Sequence, residues 1–323
     1  MEAVKIALLG ECMIELNGEP FGSMTQSYGG DVLNSAVYLA RAGQGSLDVH
    51  FVTAMGLDPL SRGMITRWQQ EGINTSLVFT DSEHQPGLYL IQLDEQGERT
   101  FLYWRNNSAA RHLFRHADYP KIYPQLEKMD ALYLSGISLA ILPEEDCQLL
   151  LDNLKTLSSQ GKIIFFDSNY RPALWESEAQ ARESYQKMYA ITDIALVTDD
   201  DEMQLWGETS IEGIFNRLQK MGVKQAIIKA GAQGCFYRDL HTQAEIQHIA
   251  AQPVSPVIDT TAAGDAFNAG FIAGLLNGKS IKYSALMGHQ LAGVVIRHKG
   301  AIVPEVATRQ VTACFDGQKS HKK

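Results

Sequence analysis

The sequence predicts an α/β fold, a mostly parallel central sheet with helices on both faces, plus a small β-sheet lid. Three observations predict it. From Met129 onward, short apolar runs alternate with helical stretches, the pattern of a parallel sheet covered on both sides. Residues 86–105, PGLYLIQLDEQGERTFLYWR, alternate about Glu95-Gln96-Gly97-Glu98, the pattern of a β-hairpin. Residues 257–278, VIDTTAAGDAFNAGFIAGLLNG, read as a strand end, a tight glycine turn and a helix.

The 323 residues suffice for one large domain, and no linker, internal repeat or low-complexity segment divides them. A hydrophobic content of 45% allows a sizeable core. The net charge of −9 argues against general nucleic-acid binding, although local groups can still hold an anionic ligand. Cys12, Cys147, Cys235 and Cys314 are scattered without CxxC spacing, so reduced thiols are expected rather than a disulfide framework or zinc site. No signal core opens the chain and no apolar run is long enough to span a membrane. A soluble cytoplasmic protein without a membrane partner is expected, with Lys319, His321, Lys322 and Lys323 as a solvated end.

In chain order, residues 4–9 form the first predicted strand, leading into GECMIEL. No GxGxxG follows, so dinucleotide binding is set aside. Tyr28-Gly29-Gly30-Asp31 precedes a helix through Arg41, with Asp31 and Asn34 near its start. The two glycines permit close backbone approach to a ligand; a plain N-cap at Asp31 is the alternative. A buried strand over 49–58 and a helix over 60–71, closed by Gly72, come next. In the hairpin, residues 88–93 pair with 100–104, and parity puts Tyr89, Tyr103 and Arg105 on one face. Arg105 beside two aromatics can give a two-pronged contact to a carboxylate. The same face could instead pack on the core or on a second subunit.

Further strands are predicted over 131–135, 162–167, 194–198, 225–230, 235–237 and 254–258. Helices are predicted over 144–160, 176–189, 201–206 and 211–221. Ligands of such sheets gather at the strand C-terminal ends. Asp167, Asn169 and Arg171, the run Lys229 to Gly234, and Asp265 all fall there. The glycine-rich run lacks the P-loop GxxxxGK[ST], and a simple turn also explains it.

In the 257–278 segment, Phe267, Phe271 and Leu275 repeat at helical spacing, Thr260 or Thr261 can cap the start, and Gly278 can end it. Ala262, Ala263 and Gly264 leave bare backbone at a first turn, whose unpaired N–H groups can hold a phosphate or a developing anion. Asp265 beside that anion could take the proton of a hydroxyl attacking phosphorus. The plain alternative is a carboxylate that only complements the helix dipole.

Gly29-Gly30 with Asn34, together with DTTAAGDAF at 259–267, resemble the ribokinase-like PfkB carbohydrate kinases. The likeness runs from IALLGECMIEL to KGAIVP, almost the whole chain. Within the family, GECMIEL, GGDVLN, PGLYLI, GERTFLYWR, LYLSGISLAIL and DSNYRPALW are similar to members acting on a 2-keto-3-deoxy sugar acid. The resemblance implies a ribokinase-like three-layer sandwich, one domain over 1–323, with a lid from segments near 12–28 and 86–105. It implies ATP-dependent phosphorylation of 2-dehydro-3-deoxygluconate at its 6-hydroxyl, with Mg2+ and room for a monovalent cation. The exposed aromatic face of the lid sheet leads to the expectation of a homo-oligomer formed through the lid.

By the same resemblance, Asp265 is the general base, and the backbone of Ala262, Ala263 and Gly264 is the anion hole. Gly30 and Asn34 bind sugar hydroxyls, while Tyr89, Tyr103, Trp104 and Arg105 hold the keto-acid. Arg171 meets both substrates. Asn169 and Tyr170 lie by the phosphates, and Lys229, Ala230, Gly231, Ala232, Gln233, Gly234 and His289 lie along ATP. Where the family often shows N-x-x-E near the magnesium-linked phosphates, this chain has Thr198-Asp199-Asp200-Asp201-Glu202. Asp201 and Glu202 are therefore the candidates for an indirect metal role, against the alternative of an acid-rich helix start. Kinases for fructose or ribose are the same-class alternatives, although a neutral sugar has no carboxylate for Arg105 and Arg171. A non-catalytic sugar-acid sensor is the other class, but it has no use for a base at Asp265.

Overall fold

The computed structural model describes residues 2–19, 21–93, 99–242 and 244–316. The turn expected at Glu95 to Glu98 and the basic tail at Lys319 to Lys323 lie outside them. The strands are β1 (Val4–Leu9), β2 (Met13–Gly18), β3 (Met24–Gly29), β4 (Leu47–Gly56), β5 (Val78–Asp81), β6 (Leu88–Leu93), β7 (Arg99–Trp104) and β8 (Ala131–Ser135). They continue as β9 (Ile163–Asp167), β10 (Ile194–Thr198), β11 (Gln225–Lys229), β12 (Cys235–Asp239) and β13 (Gln247–Ile249).

Among the described residues a nine-stranded sheet runs in the order β13-β12-β11-β10-β9-β8-β1-β4-β5. Neighbours from β11 to β5 are parallel, and β12 and β13 add antiparallel pairs at one edge. Both faces are covered, so the central strands are apolar on each side. In β8, Leu132 and Leu134 join a cluster with Leu150, Tyr185 and Phe215. Ala131 and Tyr133 join the opposite one with Tyr38, Trp68 and Phe271. The chain leaves β1 for β4 on one side and returns to β8 on the other, a topological switch that opens a crevice at the strand C-terminal ends.

The segments near 12–28 and 86–105 form one small sheet, in the order β3-β2-β6-β7. The hairpin register sets Tyr89 opposite Tyr103 and Leu88 opposite Trp104, the pairing that the alternation predicts. β2 joins the hairpin by pairing parallel with β6.

The strand expected over 254–258 does not form. Pro253 and Pro256 have no N–H for a ladder, and Ile258 N–H donates to Ile296 O instead. Val257 and Ile258 stay half exposed. The following helix, Ala263–Leu276, is capped by Ala262 in the left-handed conformation (φ 60°), not by Thr260 or Thr261. Its burial extends beyond one face: Ala266 through Gly274 are all buried, while Leu275 is only partly so.

Two glycines let this helix lie tightly on the next one, Ile281–Val295. A Cβ on Gly270 would come within 2.7 Å of Met287 O, and one on Gly288 within 2.7 Å of Phe267 O. Gly288→Ala is therefore expected to lower unfolding stability by about 1–3 kcal/mol, the usual range for overpacking, as read from urea denaturation. A wild-type midpoint would show that the two helices are not in close contact.

Candidate active site

The Ala263–Leu276 helix starts at the crevice with no side-chain cap; Ala263 N–H turns back to Thr260 O (3.2 Å), which leaves the Gly264 and Asp265 N–H groups of the first turn open to a ligand. Space above Gly264 is clear: a Cβ there would meet only Lys229 Nζ, at 3.7 Å. The turn before it is fixed by Asp259, which accepts from Thr261 N–H (2.9 Å), Thr261 Oγ1 (2.7 Å) and Gly300 N–H (2.9 Å). An anion fits this cradle, with N–H dipoles on one side and an ammonium on the other.

Asp265 stands in the first turn beside the cradle, its Oδ2 accepting from Asn34 Nδ2 at 2.9 Å. Its pKa is pushed up to about 8, first by burial and then by the charge of Asp31. Asn34 and Lys229 oppose that shift while Asp167 adds to it. A carboxyl group poised near neutrality can accept a proton during reaction, as a general base must.

Lys229 is buried at the end of β11. Its Nζ donates to Asp167 Oδ1 (3.0 Å) and Asn268 Oδ1 (3.2 Å). Asn268 Nδ2 in turn donates to Asp167 Oδ2 (2.8 Å) and to Tyr133 Oη (3.1 Å). Strand ends β8, β9 and β11 are thus tied to the helix that carries Asp265. Neither Asn268 nor Tyr133 was singled out from the sequence, although a lone amide inside the apolar run AFNAGF is the kind of residue that needs buried partners.

Across the crevice, the Gly29-Gly30 turn is closely packed. A Cβ on Gly30 would lie 2.2 Å from Glu11 O, and one on Gly29 would lie 2.9 Å from Tyr89 Oη. Tyr89 donates its hydroxyl hydrogen to Glu15, which also accepts from Ser27 Oγ at 2.8 Å. The Tyr89 and Tyr103 rings lie 6.0 Å apart, and the Arg105 guanidinium stands 5.9 Å from the Tyr103 ring centroid. Arg105 is buried and ion-paired with Glu11. Glu11, in the β1–β2 connection, and Glu15, on β2, hold Arg105 and Tyr89 in place; they escaped the sequence reading because single acidic residues carry no distinctive spacing.

The remaining candidates divide. Arg171 is half exposed, donating Nη1 to Asp201 Oδ1 at 3.3 Å, and its charge reaches Tyr103. Asp201 also accepts from Tyr170 N–H at 3.3 Å. Asn169, held at φ 31°, donates Nδ2 to Asp31 Oδ2 at 2.6 Å. The Tyr170 ring is buried against Tyr185, leaving its backbone as the part near the crevice. Ala230 is buried, whereas Gly231, Ala232 and Gln233 form an exposed turn closed by an Ala230 N–H to Gly234 O bond of 2.9 Å. His289 donates Nε2–H to Ile249 O at 3.1 Å, the same carbonyl that a Cβ on Gly234 would strike at 2.2 Å.

Two candidates stand apart. Trp104 is 59% exposed and alternates to the face opposite Tyr103 and Arg105, so it does not join them. Glu202 is fully buried, accepting from Tyr189 Oη at 2.6 Å and paired with Arg217, so its carboxylate braces helices rather than facing the crevice. Among the described residues no group of three or more His, Cys, Asp or Glu side chains is placed to hold a metal ion. No helix of the described residues is long and apolar enough to cross a membrane.

Residues 3–308 match the pfkB family carbohydrate kinase model, and the chain belongs to that family. It is 49% identical to a 2-dehydro-3-deoxygluconokinase of Haemophilus influenzae, over 97% of this chain and 99% of that one. It is 44% identical to a 2-dehydro-3-deoxygluconokinase of Dickeya dadantii, over 94% and 98% respectively. Its fold is shared with a ribokinase II of E. coli solved with ATP and Mg2+, with a TM-score of 0.81 and 20% identity over 97% of this chain and 98% of that one.

The raised pKa of Asp265 has a cost in stability. Between its ordinary value of 3.8 and about 8, the folded protein holds a proton that the unfolded chain has lost. The cost is absent below pH 3.8, grows as pH rises from there and is complete once pH passes 8. Asp265→Asn is thus expected to melt higher than wild type at pH 8, by at least about 1 kcal/mol given roughly 1.4 kcal/mol per pKa unit, with the gap closing toward pH 4. Equal melting temperatures across that range would mean the carboxyl is not held in its neutral form.

Proposed function

We propose that this carbohydrate kinase transfers the γ-phosphoryl group of ATP to the 6-hydroxyl of 2-dehydro-3-deoxygluconate. The observation that carries the proposal is the crevice itself: an uncapped helix start and Asp265 on one side, an aromatic–arginine face on the other. The near full-length likeness to 2-dehydro-3-deoxygluconokinases, at 44% and 49% identity, supports the choice of sugar acid.

In this mechanism Gly30 and Asn34 position the sugar, and Tyr89, Tyr103 and Arg105 receive its keto-acid end. Asp265 accepts the proton of the 6-hydroxyl as oxygen attacks phosphorus. The Gly264 N–H, on the bare backbone of Ala262 to Gly264, receives the negative charge that builds on the transferring group. Arg171, Asn169, the Tyr170 backbone and the 229–234 turn flank the polyphosphate, with His289 beyond Gly234. Mg2+ bound with ATP would supply charge neutralisation on the phosphate oxygens, and Asp201, beside Arg171 and the Tyr170 N–H, would be the carboxylate to act on it indirectly. The four-stranded sheet acts as the lid of a single kinase domain, excluding water from the transfer. The outward face of that lid, with Leu102 and Trp104 exposed, pairs with a second copy of the chain. Free thiols at all four cysteines and the use of ATP fit a cytoplasmic setting.

A coupled ADP-release assay with 2-dehydro-3-deoxygluconate, fructose and ribose in parallel tests the reaction. Selective turnover of the sugar acid is expected; preference for a neutral sugar would overturn the substrate. Arg105→Ala, combined with Glu11→Gln so that no buried carboxylate is stranded, is expected to raise KM for the sugar acid at least tenfold. KM for ATP should stay within about twofold; an unchanged sugar KM would remove Arg105 from carboxylate binding. Trp104→Asp is expected to halve the particle mass in sedimentation experiments, and an unaltered mass would place any subunit contact elsewhere.

A further inference from the structure

Asp31 has no part in the mechanism above, yet its surroundings connect it to both substrates. It is the first residue of the Asp31–Gly43 helix and lies three residues before Asn34, so the two side chains share one helical face. Asn34 uses that face to hold Asp265 at 2.9 Å. Asp31 accepts, at 2.6 Å, from Asn169 on the loop after β9. Asn169 is held at φ 31°, in the left-handed region that a non-glycine residue rarely enters without support. One carboxylate thus stands between the base and the phosphate-side loop.

We infer that Asp31 is a positioning residue for phosphoryl transfer: it fixes Asn169 through one oxygen and keeps a negative charge beside Asp265. The inference rests on the proposed kinase reaction and adds a part to it. The charged and titratable groups around Asp265 come from several elements. They are Asp31 and Tyr38 on the Asp31–Gly43 helix, Tyr133 on β8, Asp167 at the end of β9 and Lys229 at the end of β11. Lys229 is the cation of the group and is committed to Asp167 and Asn268. Asp31 stands second only to burial in raising the proton affinity of Asp265. A base of higher proton affinity takes a hydroxyl proton more readily once it is ionised, at the cost of a more alkaline working range.

Asp31→Asn tests this cleanly, because the substituted amide keeps an oxygen for Asn169 and removes only the charge. Deleting a negative charge lowers the proton affinity of Asp265, so the acid limb of kcat/KM is expected to move to lower pH by half a unit or more. On the alkaline plateau kcat is expected to fall about three- to tenfold, with the sugar KM within twofold. Asn169→Ala deletes the bond and keeps the charge; it is expected to raise KM for ATP at least threefold and leave the acid limb in place. An Asp31→Asn acid limb that coincides with wild type would overturn the inference, as would identical effects from the two variants. Titration of the aspartate carboxyl carbons by 13C NMR, with Asp265→Asn to assign the signal, reads the same shift without turnover. If wild type fails to turn over the sugar acid, the reaction is wrong; an Asp265 titration unmoved by Asp31→Asn would sink the inference separately.

Discussion

The site depends on the concentration of negative charge at one point of a folded chain. Asp31, Asp167 and Asp265 face the same small volume, and a transferring phosphate would bring more charge of the same sign. Coulomb repulsion in a desolvated crevice is strong enough that such a group persists only with compensation close at hand. Here the compensation comes in three forms. Lys229 neutralises Asp167 directly, the open helix start of Ala263–Leu276 offers N–H dipoles, and Asp265 relieves the rest by holding its proton. The small residues at 262–264 follow from this arrangement, since any larger side chain would stand between the dipoles and the anion.

The aromatic–arginine side obeys a different constraint, that of aligning groups from separate elements. Arg105, just past β7, is locked to Glu11 in the connection between β1 and β2, and Tyr89 on β6 is locked to Glu15 on β2. Arg105 and Tyr89 therefore each have a carboxylate holding the polar end before any ligand arrives. Such support reduces the ordering entropy that binding would otherwise demand. The Arg105–Glu11 pair also ties the small sheet to the segment leaving the main one through a polar contact, which can rearrange more easily than an interdigitated apolar core.

Much of this was legible in the sequence where local pattern and local chemistry coincide. The alternation over 86–105 gave the right face for Tyr89, Tyr103 and Arg105, because the side-chain period of a strand allows few alternatives. The helix carrying Asp265 was equally plain. Failures occurred where tertiary context decides. Residues 254–258 look apolar enough for a strand, but Pro253 and Pro256 take donors from the ladder and the backbone of Ile258 pairs with Ile296 instead. Glu202 follows Asp201 in an acidic run, yet one turns to the crevice and the other to Arg217. Asn268 and Tyr133 matter only because strands far apart in sequence bring Asp167 and Lys229 beside them.

The helix behind Asp265 is enclosed on nearly every side and meets its neighbour backbone to backbone at Gly270 and Gly288. An element so confined has nowhere to shift, so the reacting geometry is set by the body and the substrate must be delivered to it. Recognition is then free to diverge: residues on the small sheet can be exchanged to suit a different sugar while the phosphate chemistry stays as it is. Division of labour between an immovable floor and a replaceable roof is one physical reason a single architecture can serve many sugars.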